Sequence, residues 1–269
     1  MPKCLYHLMK KPRIALTGML CLLLAACSSV PPKEPMPSSL IPAPQAAASH
    51  PLVIVLPGRS DSLRDLQTNG IAPAIQKSWP VADVLLVGAT PPYYMDGRIA
   101  RRLRTQVIEP ARRKGYREIW LTGASQGGMG ALFYEYAYPG NVTGLVLYAP
   151  FMGSEKLIKR IAAAGGPERW QPPMPKPAKM RLQNYQVEMW RLVHDWGTER
   201  TRARKVWIAC GTEDDFLPAA KLIETQLPPG HFVELDGGHD WQTWDRAATR
   251  IFNRIAVAHA SPTGLSTPK

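Results

Sequence analysis

Cysteine is almost absent from this chain of 269 residues: there are four, at positions 4, 21, 27 and 210. The first three crowd the N-terminus and the fourth stands alone in an apolar run. A disulfide framework is thereby excluded, and Cys210 reads as a small buried core residue rather than a reactive thiol. Histidine is scarce as well, six in all, and His194, His231 and His239 lack the spacing of metal ligands, so neither a metal nor another cofactor is expected. No apolar run is long enough to span a bilayer; the longest, from Ile14 to Ala26, is too short. Acidic residues are in the minority, 21 against 33 Lys and Arg, for a net charge of +12. No nucleic-acid recognition motif accompanies that excess, and a nucleic-acid partner is not expected.

What the N-terminus does hold is an address. Lys10, Lys11 and Arg13 precede the apolar stretch Ile14–Ala26, the pattern of a secretory signal peptide. Its end, Leu24-Ala25-Ala26-Cys27, resembles the lipobox of bacterial lipoproteins. That resemblance implies that residues 1–27 are signal peptide with lipobox, that Cys27 is diacylated, and that the mature protein is held to a membrane of the cell envelope. Ser28, not being aspartate, implies the outer membrane in a two-membrane cell. Ordinary signal cleavage near Ala26 is the alternative, and either Met1 or Met9 serves as the start. Removing the four basic residues of the signal lowers the charge to about +8. Between Ser28 and Ser49 stand six prolines with many Ser and Ala, and residues 28–50 read as an extended, solvated tether.

From 51 to 260 there is length for one α/β domain, followed by a short tail at 261–269. Apolar, β-branched runs at 52–56, 83–87, 118–122, 144–149, 205–209 and 231–235 alternate with helical patterns at 61–78, 97–114, 127–138 and 240–258. That alternation predicts a mainly parallel sheet with helices on both faces.

The chemistry concentrates at the ends of three of those runs. Glu118-Ile-Trp-Leu-Thr-Gly-Ala-Ser125-Gln-Gly127 is an apolar strand closing in Gly-x-Ser-x-Gly and passing at once into a small-residue helix. Two glycines let the chain turn sharply enough to lift the Ser125 hydroxyl above the sheet. A serine nucleophile needs a base and an orienting acid, and both follow in the order acid, then histidine. Lys205-Val-Trp-Ile-Ala-Cys210-Gly211 breaks into the acidic turn Glu213-Asp214-Asp215, and Phe232-Val-Glu-Leu235 ends in Gly237-Gly238-His239.

In these three motifs the chain resembles the serine hydrolases of the α/β-hydrolase superfamily, over roughly residues 52 to 257. The resemblance implies the α/β-hydrolase fold, trimmed of its first two antiparallel strands, with Ser125 as nucleophile, His239 as general base and then acid, and Asp214 as the orienting acid. Asp214 fills the last position of Gly-x-x-Asp with Pro218 soon after; Asp215 is the adjacent alternative, while Glu213 and Asp240 read as loop or capping acids. The strand 52–56 stops at Pro57-Gly58, where the superfamily commonly has His-Gly. By position, the backbone N–H groups of Arg59 and Gln126 would form the oxyanion hole, and the Arg59 side chain is free to pair with Asp61 or Asp65.

A cap insertion is expected at about 152–204. Twelve Lys or Arg between Lys156 and Lys205 face four acids there. They read either as a solvated face, the favoured reading, or as an attraction to an anionic surface. Trp170, Tyr185, Trp190 and Trp196 either roof a substrate pocket or, as is favoured, pack the cap on its own core. The expected activity is cleavage of a carboxylic ester through an acyl-enzyme, on a small molecule, a lipid or an acylated polymer. An acyltransferase of the same fold and a non-catalytic envelope scaffold are the alternatives.

Overall fold

Strands that are apolar at every position are buried on both faces, and such strands belong in the middle of a sheet covered by helices on either side. The computed structural model describes residues 32–48, 50–175 and 179–260. Within them run the strands β1 (Ser38–Ile41), β2 (Leu52–Leu56), β3 (Asp83–Val87), β4 (Ile119–Ala124), β5 (Gly144–Tyr148), β6 (Val206–Gly211) and β7 (Phe232–Leu235). They form one sheet in the order β1-β3-β2-β4-β5-β6-β7. β1 is antiparallel to β3 and every other pairing is parallel. All six runs singled out in the sequence are strands.

The alternation of side chains along each strand divides the core in two. Leu52, Ile54 and Leu56 of β2, with Leu121 and Leu147, face one layer of helices. That layer contains α3 (Ile99–Arg102, continued by a π-helical stretch Leu103–Ile108 into Glu109–Arg113), α4 (Gln126–Ala137), α5 (Glu155–Ala163), α6 (Tyr185–Asp195), α7 (Arg200–Ala203) and α8 (Leu217–Glu224). Val53 and Val55 of β2, with Val146 and Tyr148, face the other layer: α1 (Leu63–Thr68), α2 (Ile71–Ser78) and α9 (Trp241–Ala260). The helical pattern read as 61–78 is thus two helices, interrupted at Gly70, whose φ of 94° suits glycine.

The tether expected over 28–50 gives way within the described residues to folded chain. Ser38–Ile41 is an edge strand on β3, in register from Ser38 opposite Val87 to Ile41 opposite Val84. Met36 is buried, and Glu34 accepts from Arg102 Nε at 2.7 Å while the rest of that guanidinium grips Asp96 in two bonds of 2.6 and 2.8 Å. Prolines masked the strand: a four-residue edge strand tolerates them at its flanks, since one side of its ladder is unpaired. One antiparallel strand therefore precedes β2, where the resemblance implied none.

The second layer holds one acid in an uncomfortable place. Asp245 on α9 lies against Gly70, where a Cβ would come within 2.8 Å of its Oδ2, and its Oδ1 is buried without a partner. Desolvation raises its pKa to about 7. The unfolded chain then gives up this proton near its ordinary value of 3.8 while the folded protein keeps it, so stability falls as pH rises from 3.8 to about 7 and levels off above. Asp245→Asn is expected to leave the melting temperature unchanged at pH 4. At pH 8 it should raise it by about 2–4 °C, for ~1 kcal/mol after allowing for the group's access to solvent. Melting curves of the two proteins that run parallel across this range would contradict the assignment.

Candidate active site

Ser125 occupies the turn between β4 and α4. Its backbone sits at φ 52°, ψ −112°, outside the regions open to an ordinary residue and at a cost of ~1–3 kcal/mol. The surroundings hold it there: its N–H donates to Tyr148 O on β5, and its carbonyl accepts from Met129 N of α4 and from Phe151 N. The flanking glycines are a packing requirement. A Cβ on Gly123 would lie 2.5 Å from the Gly127 carbonyl carbon, and one on Gly127 would lie 2.5 Å from Leu56 O. Any side chain at either position would push α4 off the sheet.

The loops after β6 and β7 are zipped to each other. Thr212 N donates to Leu235 O at 3.0 Å and Glu213 N to Gly237 O at 2.9 Å. This brings Asp214 beneath His239. The Asp214 side chain is fully buried, its Oδ2 lies 2.8 Å from His239 Nδ1, and its Oδ1 accepts from Phe216 N at 2.8 Å. Asp215 and Glu213 are exposed, and Asp240 caps α9 by accepting from Thr243 N at 2.8 Å. The His239 ring is held edge-to-face between Phe216 (centroids 4.7 Å apart) and Trp244 (4.9 Å), an arrangement that fixes its plane.

Ser125 and His239 open onto one cavity of about 440 Å³, whose other walls are Gly58, Arg59, Trp241 and Trp244 among their neighbours. No hydrogen bond joins Ser125 to His239 in this structure; contacts of this kind commonly tighten when substrate binds. Gln126 is the first residue of α4, so its N–H has no carbonyl within the helix to bond and is available to an anion. Arg59 borders the cavity from the loop after β2. The two acids suggested as its partners are each bonded elsewhere through one carboxylate oxygen. Asp65 forms a capping box with Ser62 at the head of α1, and Asp61 is engaged as follows.

Asp61 Oδ2 accepts from Gly58 N and from Trp241 Nε1, each at 3.1 Å. One carboxylate oxygen thus ties the turn carrying the Arg59 amide to the start of the helix that follows His239. Sequence reasoning gave Asp61 no such part, and Phe216 and Trp244 none at all. The spacing of Trp241 and Trp244 just after His239, one helical turn apart, was the available signal. Asp61→Ala is expected to lower kcat about tenfold with KM little changed, and Asp61→Asn, whose amide oxygen still accepts both bonds, to restore most of it. A rise in KM alone, or an asparagine variant as slow as the alanine one, would remove Asp61 from this part.

The cap aromatics do not roof this cavity. Trp170, Trp190 and Trp196 are buried in the core of the first helical layer, with Trp190 Nε1 donating to Met152 O at 2.9 Å, and Tyr185 rests edge-on against Phe133. The helical spacing of Tyr185 and Trp190 is a packing pattern. Cys210 is buried, and its thiol is held far above its ordinary pKa by desolvation, then by the charge of Asp214. Cys27 lies outside the described residues.

A parallel sheet with the serine turn after β4, an acid after β6 and a histidine after β7 is the α/β-hydrolase arrangement, and this is an α/β-hydrolase fold. The model of the Esterase family matches residues 102–255, more than half of the chain, and the chain belongs to that family. It is similar in fold to a ferulic acid esterase (17% identity, 78% of this chain and 85% of that one, TM-score 0.55) and to Est1E from Butyrivibrio proteoclasticus (14%, 82% and 92%, 0.56). It is likewise similar to MPT51 of Mycobacterium tuberculosis (15%, 83% and 93%, 0.56). No curated protein sequence matches the chain. The protein is an ester hydrolase.

Proposed function

We propose that the protein is an exported, lipid-anchored serine hydrolase that cleaves carboxylic esters through an acyl-enzyme on Ser125. The observation that carries the catalytic part of this reading is the buried Asp214 carboxylate 2.8 Å from His239 Nδ1, on a histidine that shares a cavity with the strained Ser125; the anchor rests on the sequence around Cys27 alone. Asp214 keeps the proton on Nδ1, which leaves the Nε2 lone pair to act as base. Ser125 Oγ attacks the ester carbonyl carbon as Nε2 takes its proton. The charge that develops on the carbonyl oxygen is received by the N–H groups of Arg59 and Gln126. The carbon–oxygen bond to the alcohol then breaks, and the leaving oxygen takes the proton from His239. Water, deprotonated by the same nitrogen, attacks the acyl-serine and releases the acid. Discharge by an alcohol instead of water would make the same site an acyltransferase.

The two indole walls of the cavity favour a flat or apolar group beside the reacting carbonyl, and a structure of Est1E is described as holding ferulic acid. Nitrophenyl esters of graded chain length test the acyl-enzyme. A pre-steady-state burst of nitrophenol close to one per protein, followed by slower turnover, is the expected result. Rapid turnover of every ester with no burst, together with a Ser125→Ala variant as active as the wild type, would count against it.

The anchor is tested separately. Cys27→Ser is expected to move the protein from the membrane fraction to the soluble one with its specific activity unchanged, because every residue given a catalytic part lies far along the chain from Cys27. A wild-type protein already soluble would remove the anchor and with it the envelope localisation.

A further inference from the structure

A second cavity, of about 360 Å³, lies in the first helical layer between the start of α3, the C-terminal half of α4 and the segment leading into α6. It shares no lining residue with the cavity over Ser125. Phe133, on its wall, is eight residues along α4 from Ser125, about 12 Å at 1.5 Å per residue. Its size falls within the range of small-molecule sites.

The lining is divided by chemistry. Ile99, Phe133, Met180, Leu182 and Tyr185 supply apolar walls, with Phe133 and Tyr185 already set edge-to-face at 5.7 Å and Leu182 half exposed beside them. Arg101, Lys179 and Arg181 also line it, and no Asp or Glu does. The nearby acids are spent elsewhere: Asp96 is gripped by Arg102, and buried Glu188 pairs with Arg191 and accepts from Tyr136 OH. Among the described residues none of the three cations forms an ion pair. Three unneutralised cations around an apolar pocket complement an anion that carries a hydrophobic body, and they offer nothing to a neutral or cationic one.

We propose that this cavity is a binding site for a small amphiphilic carboxylate, with Arg101, Lys179 and Arg181 receiving the carboxylate and Phe133, Met180 and Tyr185 the ring or short acyl chain. It goes beyond the basic face as a whole, because the charge is joined to a cavity of defined lining, and it does not rest on the role given to Ser125.

Calorimetric titration of the full chain with decanoate, below its micellar concentration, tests it, with decanol and inorganic phosphate as comparators. Decanoate is expected to bind one-to-one, decanol at least tenfold more weakly and phosphate not at all. The double substitution Lys179→Gln and Arg181→Gln, both on exposed residues, should weaken decanoate about tenfold, as the loss of a charge-assisted bond of ~1.5 kcal/mol would, and leave decanol unchanged. Met180→Arg should block the cavity to both. Equal affinity for decanoate and decanol, no binding of either, or decanoate binding that survives both sets of substitutions would overturn the site; the last outcome would place the ligand elsewhere, the Ser125 cavity included.

Discussion

Ser125→Ala is expected to lower ester turnover by about 10⁴-fold or more, His239→Ala by a similar factor, and the double variant to be scarcely slower than either. The reason is cooperation. Without the base, the serine hydroxyl keeps its proton and is a weak nucleophile; without the serine, the base has nothing to activate, so the second substitution removes what the first already disabled. Residual activity would come from the amides of Arg59 and Gln126 and from substrate binding. The Ser125 turn is held by backbone bonds to Tyr148, Met129 and Phe151, none of which involves its hydroxyl. The alanine variant should therefore melt where the wild type does. Losses that multiply in the double variant would mean that the two side chains act independently, and that one of them works elsewhere.

The second large effect separates two neighbouring aspartates. Asp214→Asn is expected to reduce kcat by about 10³- to 10⁴-fold, since an amide facing His239 Nδ1 stabilises the wrong tautomer and cannot offset the imidazolium charge. Asp215→Asn should change it by less than about twofold, because the side chain is exposed and its charge is screened by water. The reverse order would move the orienting acid by one residue. Circular dichroism of both variants distinguishes a catalytic loss from an unfolded protein, because Asp214 is buried and also accepts the Phe216 N–H.

What could be read from the sequence was whatever local chemistry dictates. The six apolar runs had no stable place outside a covered sheet. The glycines at 123 and 127 announced a turn that the structure explains by the approach of Gly127 to both Gly123 and Leu56 O. Asp214 was separable from Asp215 by spacing, and the structure buries the first against His239 and exposes the second. What escaped were features that depend on partners distant in sequence. β1 carries too little hydrophobicity to declare itself; it exists because β3 offers an open edge. Asp61 reads as a turn acid until folding brings Trp241, 180 residues away, onto its carboxylate. The tryptophans of the insertion were separable only by the general tendency of such residues to be buried, since an aromatic at helical spacing looks the same in sequence whether it lines a pocket or fills a core; the favoured reading, a packed core, is the one the structure has.

The most direct measurement is peptide mass mapping after incubation with a small fluorophosphonate. A single adduct is expected, on the peptide containing Ser125, with ester hydrolysis lost in proportion to labelling. The adduct should be absent when His239 is alanine, because the reagent requires an activated serine hydroxyl. Full ester hydrolysis by protein that carries no label, or a label on another residue that tracks the loss of activity, would contradict the assignment of Ser125 as the nucleophile.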